Sequence, residues 1–212
     1  MTDTPSQYLA AARTALGLLE DPAVAGAWDG PSALEGFTVG GLAAHLAQQV
    51  TSVTGALAAD YAGKPLIGLF EHYDRAAWVG TGTEGDANAA IRAGGEEAAQ
   101  RGPDAVLDQA REALAELEAA LPGLDGSRIS GNTRWPYATT LHDFLHTRIL
   151  ELVVHTDDLA HSVGVDTPVF DQDAFDTAAH MLTRLSAKRH GQAALVRALA
   201  RSERAPETVS GL

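Results

Sequence analysis

The segment from Thr140 to Val163 reads TLHDFLHTRILELVVHTDDLAHSV and carries Arg148, Glu151, His155 and Asp158 at three- and four-residue spacing. At ~100° per residue these four groups share one flank of a helix whose apolar stripe is Leu141, Leu145, Ile149, Leu152, Leu159 and Val163. Polar groups turned toward a core must be paired or put to use, because leaving one unsatisfied costs ~1–3 kcal/mol and leaving a charge costs more. Two uses are open. The first is a ladder of helix ion pairs, Arg148 with Glu151 and Glu151 with His155, each worth ~0.2–0.5 kcal/mol. The second is metal ligation, which needs a further ligand from another helix because two groups on one helix offer a cation only one edge of its coordination sphere. His45, in GLAAHLAQQ, is the candidate: its neighbours are small or apolar and it has no local charge partner.

A second pair, His142 with His146, is also four apart on the same helix. His146 lies half a turn from His155, so the two pairs cannot share one metal. This pair reads as mainly structural. His72, His161, His180 and His190 have no ligand-like company in sequence and read as surface or helix-end histidines.

Four amphipathic runs can position these groups. Thr4-Pro5-Ser6-Gln7 predicts a helix start, with Thr4 as N-cap, Pro5 at the first helical position and Gln7 closing a capping box. Leu9, Ala12, Leu16 and Leu19 follow at helical spacing, for a helix near 5–20. Thr38 caps a second helix near 39–60, with His45 on it. Pro103 opens a third near 103–121, stopped by Pro122-Gly123, and Thr140 with Asp143 caps the fourth, 140–163, which ends at Gly164. Further helices are expected at about 173–190 and 192–200. Glycines interrupt residues 63–102, where only Leu69 to Val79 and Ala87 to Ala93 have helical character, so short helices and loops are expected there. No run shows the period-two alternation of β-branched and aromatic residues that a sheet requires, and the apolar stock is mostly Ala and Leu. The expected fold is therefore an all-α four-helix bundle with a long crossover and extra C-terminal helices, a single domain over 1–212.

Composition narrows the chemistry. The 212 residues hold 15 Lys and Arg against 28 Asp and Glu, a net charge of −13, which argues against a nucleic-acid partner. There is no cysteine, so disulfides, thiolate metal ligands and protein thiol nucleophiles are all excluded. A metal must be held by His and carboxylates, and thiol chemistry must bring its thiol from outside. The start MTDTPSQY lacks a charged and then apolar leader, and no run reaches the ~20 apolar residues of a membrane span, so a cytoplasmic protein without a membrane partner is expected, as monomer or homodimer.

Two segments, LEGFTVGGLAAHLAQQV and RILELVVHTDDLA, resemble the DinB-like family of mycothiol-dependent maleylpyruvate isomerases in its metal-binding N-terminal domain. The family pattern of an aromatic-Thr-Val start followed by a histidine stands here as Phe37-Thr38-Val39 with His45. Its Arg-x2-Glu-x3-His-x2-Asp stands as Arg148, Glu151, His155 and Asp158. The resemblance implies that His45, Glu151 and His155 are metal ligands, for zinc most readily and nickel or another divalent ion in its place. It implies that the metal binds a low-molecular-weight thiol such as mycothiol and makes it a nucleophile toward a small electrophile. Arg148 and Asp158 would then act from behind the ligands, orienting one of them or binding an anionic group. Two features depart from the pattern: Asp157 stands where relatives commonly have an aromatic residue, and an end at Leu212 leaves no room for the smaller C-terminal isomerase domain.

The leading expectation is thus a mycothiol-type S-transferase or isomerase. The alternatives are a metal-dependent hydrolase using metal-bound water, which lacks a clear general base here, and a non-catalytic module that binds a small molecule or metal.

Overall fold

The computed structural model describes residues 3–76 and 85–212. Within them the chain is almost entirely helical: α1 Thr4–Leu19, α2 Pro22–Gly26, α3 Val39–Ala58, α4 Leu69–Arg75, α5 Asp86–Ala99, α6 Pro103–Ala120, α7 Leu141–Val163, α8 Gln172–His190 and α9 Gln192–Ala200. The bundle is built from α1, α3, α6 and α7. Both α1 and α3 pack against α6 and α7, and the path from α3 through α4 and α5 to α6 is the long crossover. The α8 helix lies against α7 and α1.

Apolar periodicity explains the core. Leu16 of α1, Leu42, Leu46, Val50 and Val53 of α3, Leu117 of α6 and the stripe Leu141, Leu145, Ile149, Leu152 and Leu159 of α7 are all buried in one cluster. Burial of each such side chain stabilises by ~1.5–3 kcal/mol relative to exposure. Helix ends follow their capping residues. Thr38 Oγ1 accepts from Gly41 N at 2.9 Å to open α3, Thr140 Oγ1 accepts from Asp143 N at 3.0 Å to open α7, and α7 stops where Gly164 turns left-handed at φ 73°.

Two local expectations at the start of α1 are corrected. The N-cap of α1 is Asp3, whose Oδ1 accepts from Ser6 N at 2.8 Å, which leaves Thr4 inside the helix and buried. Gln7, expected to close a capping box, instead accepts a hydrogen bond from Thr177 of α8 at 2.8 Å. A two-residue antiparallel ladder, β1 Ile129–Ser130 with β2 Thr139–Thr140, closes the loop before α7, too short to carry alternation in sequence. Of the expected helical piece Leu69 to Val79, Leu69–Arg75 forms α4, Ala76 falls outside it, and residues 77–79 lie outside the described residues.

The α5 helix is longer than expected and packs tightly on α3. Gly94-Gly95 reads as a helix breaker, yet Gly95 is where the α3 backbone passes: an added Cβ would stand 2.7 Å from Gly41 O. The carboxylate of Glu96, one residue on, accepts from Thr38 N at 2.7 Å and from Thr38 Oγ1 at 2.9 Å. That contact pins the first turn of α3, one to two turns before His45.

Candidate metal centre

Helices α3 and α7 face each other, and the structure brings His45, Glu151 and His155 together between them. Glu151 Oε2 lies 3.1 Å from His155 Nε2 and 3.7 Å from His45 Nε2, and the two imidazole rings meet edge to face at 4.8 Å. Their side chains are only 12, 14 and 16% exposed for His45, Glu151 and His155 in turn. One ligand atom from each residue fits within 4.8 Å of the other two. A tetrahedral cation with bonds of ~2.0–2.2 Å needs ligand atoms ~3.3–3.6 Å apart, so the observed separations suit an ion at the centre. His45 Nδ1 is buried without a hydrogen-bond partner among the described residues, so the polar contacts of this ring run through Nε2. The donor set, two imidazoles and one carboxylate, is that of an open divalent site.

The surrounding groups hold these three in place. Asp158 Oδ2 accepts from His155 Nδ1–H at 3.0 Å, which turns Nε2 toward Glu151 and His45. Gln49, one turn after His45 on α3, donates from Nε2 to His45 O at 2.8 Å, and its backbone carbonyl accepts from Tyr8 OH of α1 at 3.1 Å. Arg148 does not pair with Glu151 in a helix ladder. Its guanidinium donates to Gln49 Oε1 and lies 5.4 Å over the Phe144 ring. Arg148 thus ties α7 to the helix that carries His45.

The charges follow from this arrangement. Burial works against ionisation of Glu151, but the hydrogen bond from His155, the adjacent His45 ring and the charges of His155 and Arg148 overcome it and hold the carboxyl well below its usual range. Burial also opposes charge on His155, but the Asp158 and Glu151 carboxylates outweigh it and push the imidazole up to about 9. Burial holds His45 below its usual value, so that ring is neutral. A cation entering here meets one carboxylate, one neutral imidazole and one imidazolium whose Nε2 proton it must replace.

Two neighbours were not legible in sequence. His72, expected at the surface, is buried on α4, its Nδ1 2.9 Å from Tyr137 OH and its ring 4.3 Å from that of Trp135. Burial, with the nearby Arg148 charge, lowers its pKa to about 4. Tyr73, beside it, is close enough to feel the charges of both Glu151 and Arg148. The burial of His72 depends on the 131–138 loop returning over it, which spacing does not reveal. Gln49 did carry a signal, as a polar residue one turn from His45 on an otherwise apolar helix face. His161 and His180 are exposed and His190 is half-buried near a helix end, as expected.

The second histidine pair stands apart. His142 and His146 face α1, where Thr4 Oγ1 lies 2.7 Å from His142 Nδ1 and 3.4 Å from His146 Nε2. Burial first, then the nearby His142 and His180, lowers the His146 pKa to about 4.

An all-α bundle with a His2Glu cluster between two facing helices offers a donor set that could hold a divalent metal ion. Residues 8–160 match the family model described as the mycothiol maleylpyruvate isomerase N-terminal domain, and the chain belongs to that family. No curated protein and no solved structure gave a significant match. No helix among the described residues is long and apolar enough to cross a membrane.

Proposed function

We propose that this chain is a metal-dependent thiol transferase or isomerase, using a mycothiol-type low-molecular-weight thiol as nucleophile toward a small electrophile. The observation that carries the reading is the convergence of His45 Nε2, Glu151 Oε2 and His155 Nε2 on one nearly buried point, in a member of a mycothiol-related family. His45, Glu151 and His155 would hold the ion, zinc most readily, and a divalent ion supplies the means to deprotonate a coordinating thiol whose free pKa is ~8.5. That supply matters in a chain without cysteine.

The protein's own residues do the rest. Asp158 keeps one proton of His155 on Nδ1, so that loss of the other proton frees the lone pair of Nε2, the nitrogen that faces Glu151 and His45. Glu151 is ionised and contributes a negative charge that favours the cation over an empty site. The Arg148 guanidinium, beside the cluster and with no carboxylate partner among the described residues, orients an anionic group of the thiol or the electrophile. Neutral His72 and the rings of Trp135 and Tyr137 form a low-polarity wall close to Arg148, which limits water near the reacting groups.

The hydrolase reading requires a free general base near the ion. Asp158, the one spare carboxylate by sequence, is engaged by His155, which weighs against it. Turnover of small electrophiles by zinc-loaded protein, with and without added thiol, tests the proposal. Thiol-dependent turnover lost in His155→Ala supports it. Thiol-independent hydrolysis favours the alternative, and stoichiometric binding without turnover favours a binding module.

A further inference from the structure

We infer that His142, His146 and Asp143 form a second site for a divalent transition-metal ion, on the opposite side of α7 from His45, Glu151 and His155. Ligand atoms of the three lie within 4.8 Å of one another. The rings of His142 and His146 are 4.1 Å apart, and His142 Nδ1 and His146 Nε2 both point at the single hydroxyl of Thr4, at 2.7 and 3.4 Å. One hydroxyl carries one proton, so it donates to one ring nitrogen and can only accept from the other. Two imidazole nitrogens aimed at one point four residues apart on a rigid helix are a preformed bidentate chelate for zinc, copper or nickel.

The surroundings favour the ion. Among the described residues no Lys or Arg pairs with Asp143, whose carboxylate also offsets the positive end of the α7 dipole, where a bare cation would be disfavoured. Because Asp3 rather than Thr4 caps α1, the Thr4 hydroxyl is left facing the histidines, and an ion there joins the start of α1 to the start of α7. Such an ion binds the folded state alone and stabilises it by linkage. The site is independent of the proposed catalytic centre: His155 meets α3 whereas His142 meets α1.

The test is equilibrium dialysis of the full-length, metal-stripped protein against zinc at neutral pH, with circular dichroism to check folding. His155→Ala should still bind one ion per chain, and adding His146→Ala should weaken that binding by roughly 100-fold or more, beyond the ~10–100-fold typical of losing a mere supporting partner. Imidazole nitrogen NMR of the unmodified protein supplies a readout that needs no variant: zinc should shift the His142 and His146 resonances. A His155→Ala protein that binds no zinc, residual binding indifferent to His146→Ala, or His142 and His146 resonances unmoved by zinc would each overturn the inference. Failure of the first centre looks different, as one ion bound equally by wild type and His155→Ala.

Discussion

Asp158 Oδ2 accepts the Nδ1 proton of His155 at 3.0 Å, and this one contact decides which nitrogen of the ring faces Glu151 and His45. The two residues are three apart on α7, so the helix itself sets their register. Removing the carboxylate frees the ring to rotate and lets the Nε2 tautomer compete. Asp158→Ala should therefore weaken zinc binding at the His45/Glu151/His155 centre by about 10–100-fold while leaving helical content unchanged. A competition titration with a chelator measures this, and unchanged affinity would show that Asp158 plays no orienting part.

Proton competition gives a second prediction. The imidazolium of His155, held up to about 9 by Asp158 and Glu151 against the effect of burial, must lose its Nε2 proton to take up a metal. Apparent zinc affinity should rise by about tenfold per pH unit up to about pH 9 and then level off, since one proton is displaced per ion. The same shift acts on folding of the metal-free protein. A group whose folded pKa is raised stabilises fully below its unfolded value of ~6.5, and that contribution disappears as pH climbs through about 9. Urea midpoints of metal-free protein should thus fall from pH 6.5 to 9, and His155→Gln should flatten that limb.

The acid limb has the opposite sign and is shared by the histidines that burial lowers, His72 and His146 foremost. His72 is lowered to about 4, first by burial, so below pH ~6.5 the unfolded chain binds a proton that the folded chain refuses. Stability should drop between pH 6.5 and 4 with a slope of up to ~1.4 kcal/mol per pH unit from this residue. His72→Asn keeps a partner for Tyr137 without the titration and should make the slope shallower. An unchanged acid slope in that variant would place the sensitivity elsewhere.

Close backbone contact at Gly95 predicts a packing effect that reaches the site. A methyl added there meets Gly41 O at 2.7 Å and the Phe37 ring at 3.0 Å, so Gly95→Ala must push α5 away from α3. The expected destabilisation is ~1–3 kcal/mol in urea unfolding, and part of it should appear as weakened metal binding, because Glu96 then loses its hold on the first turn of α3. A neutral or stabilising Gly95→Ala would mean the two helices slide apart freely.

These residues also show how far the sequence reaches. The bundle was legible because α1, α3, α6 and α7 each repeat an apolar face with helical period and carry a stop signal such as Pro122-Gly123 or Gly164. The α1 start was misplaced by one residue because Asp3 and Thr4 are both good caps and Pro5 suits either of the first two helical positions. Glu151 with His155 could be read from spacing on one helix. That His45 completes the cluster could not be read from spacing, since no periodicity relates positions on different helices; its apolar surroundings made it a candidate and the motif resemblance added weight. His72 was missed for the same reason, its environment being made by Trp135 and Tyr137, which approach from a distant loop.

The most direct test of the central claim is zinc-dependent, thiol-dependent turnover measured together with bound zinc in the wild type, His45→Ala, His155→Ala and His161→Ala. His161 is exposed on the same helix and takes no part in the cluster. The account predicts that His45→Ala and His155→Ala each lose one equivalent of zinc and all thiol-dependent turnover with helical content near wild type, while His161→Ala keeps both. If Glu151 and His155 serve only as a helix ion pair, His155→Ala will instead shift stability by ~0.2–0.5 kcal/mol and leave zinc content and turnover as they were, and the account fails.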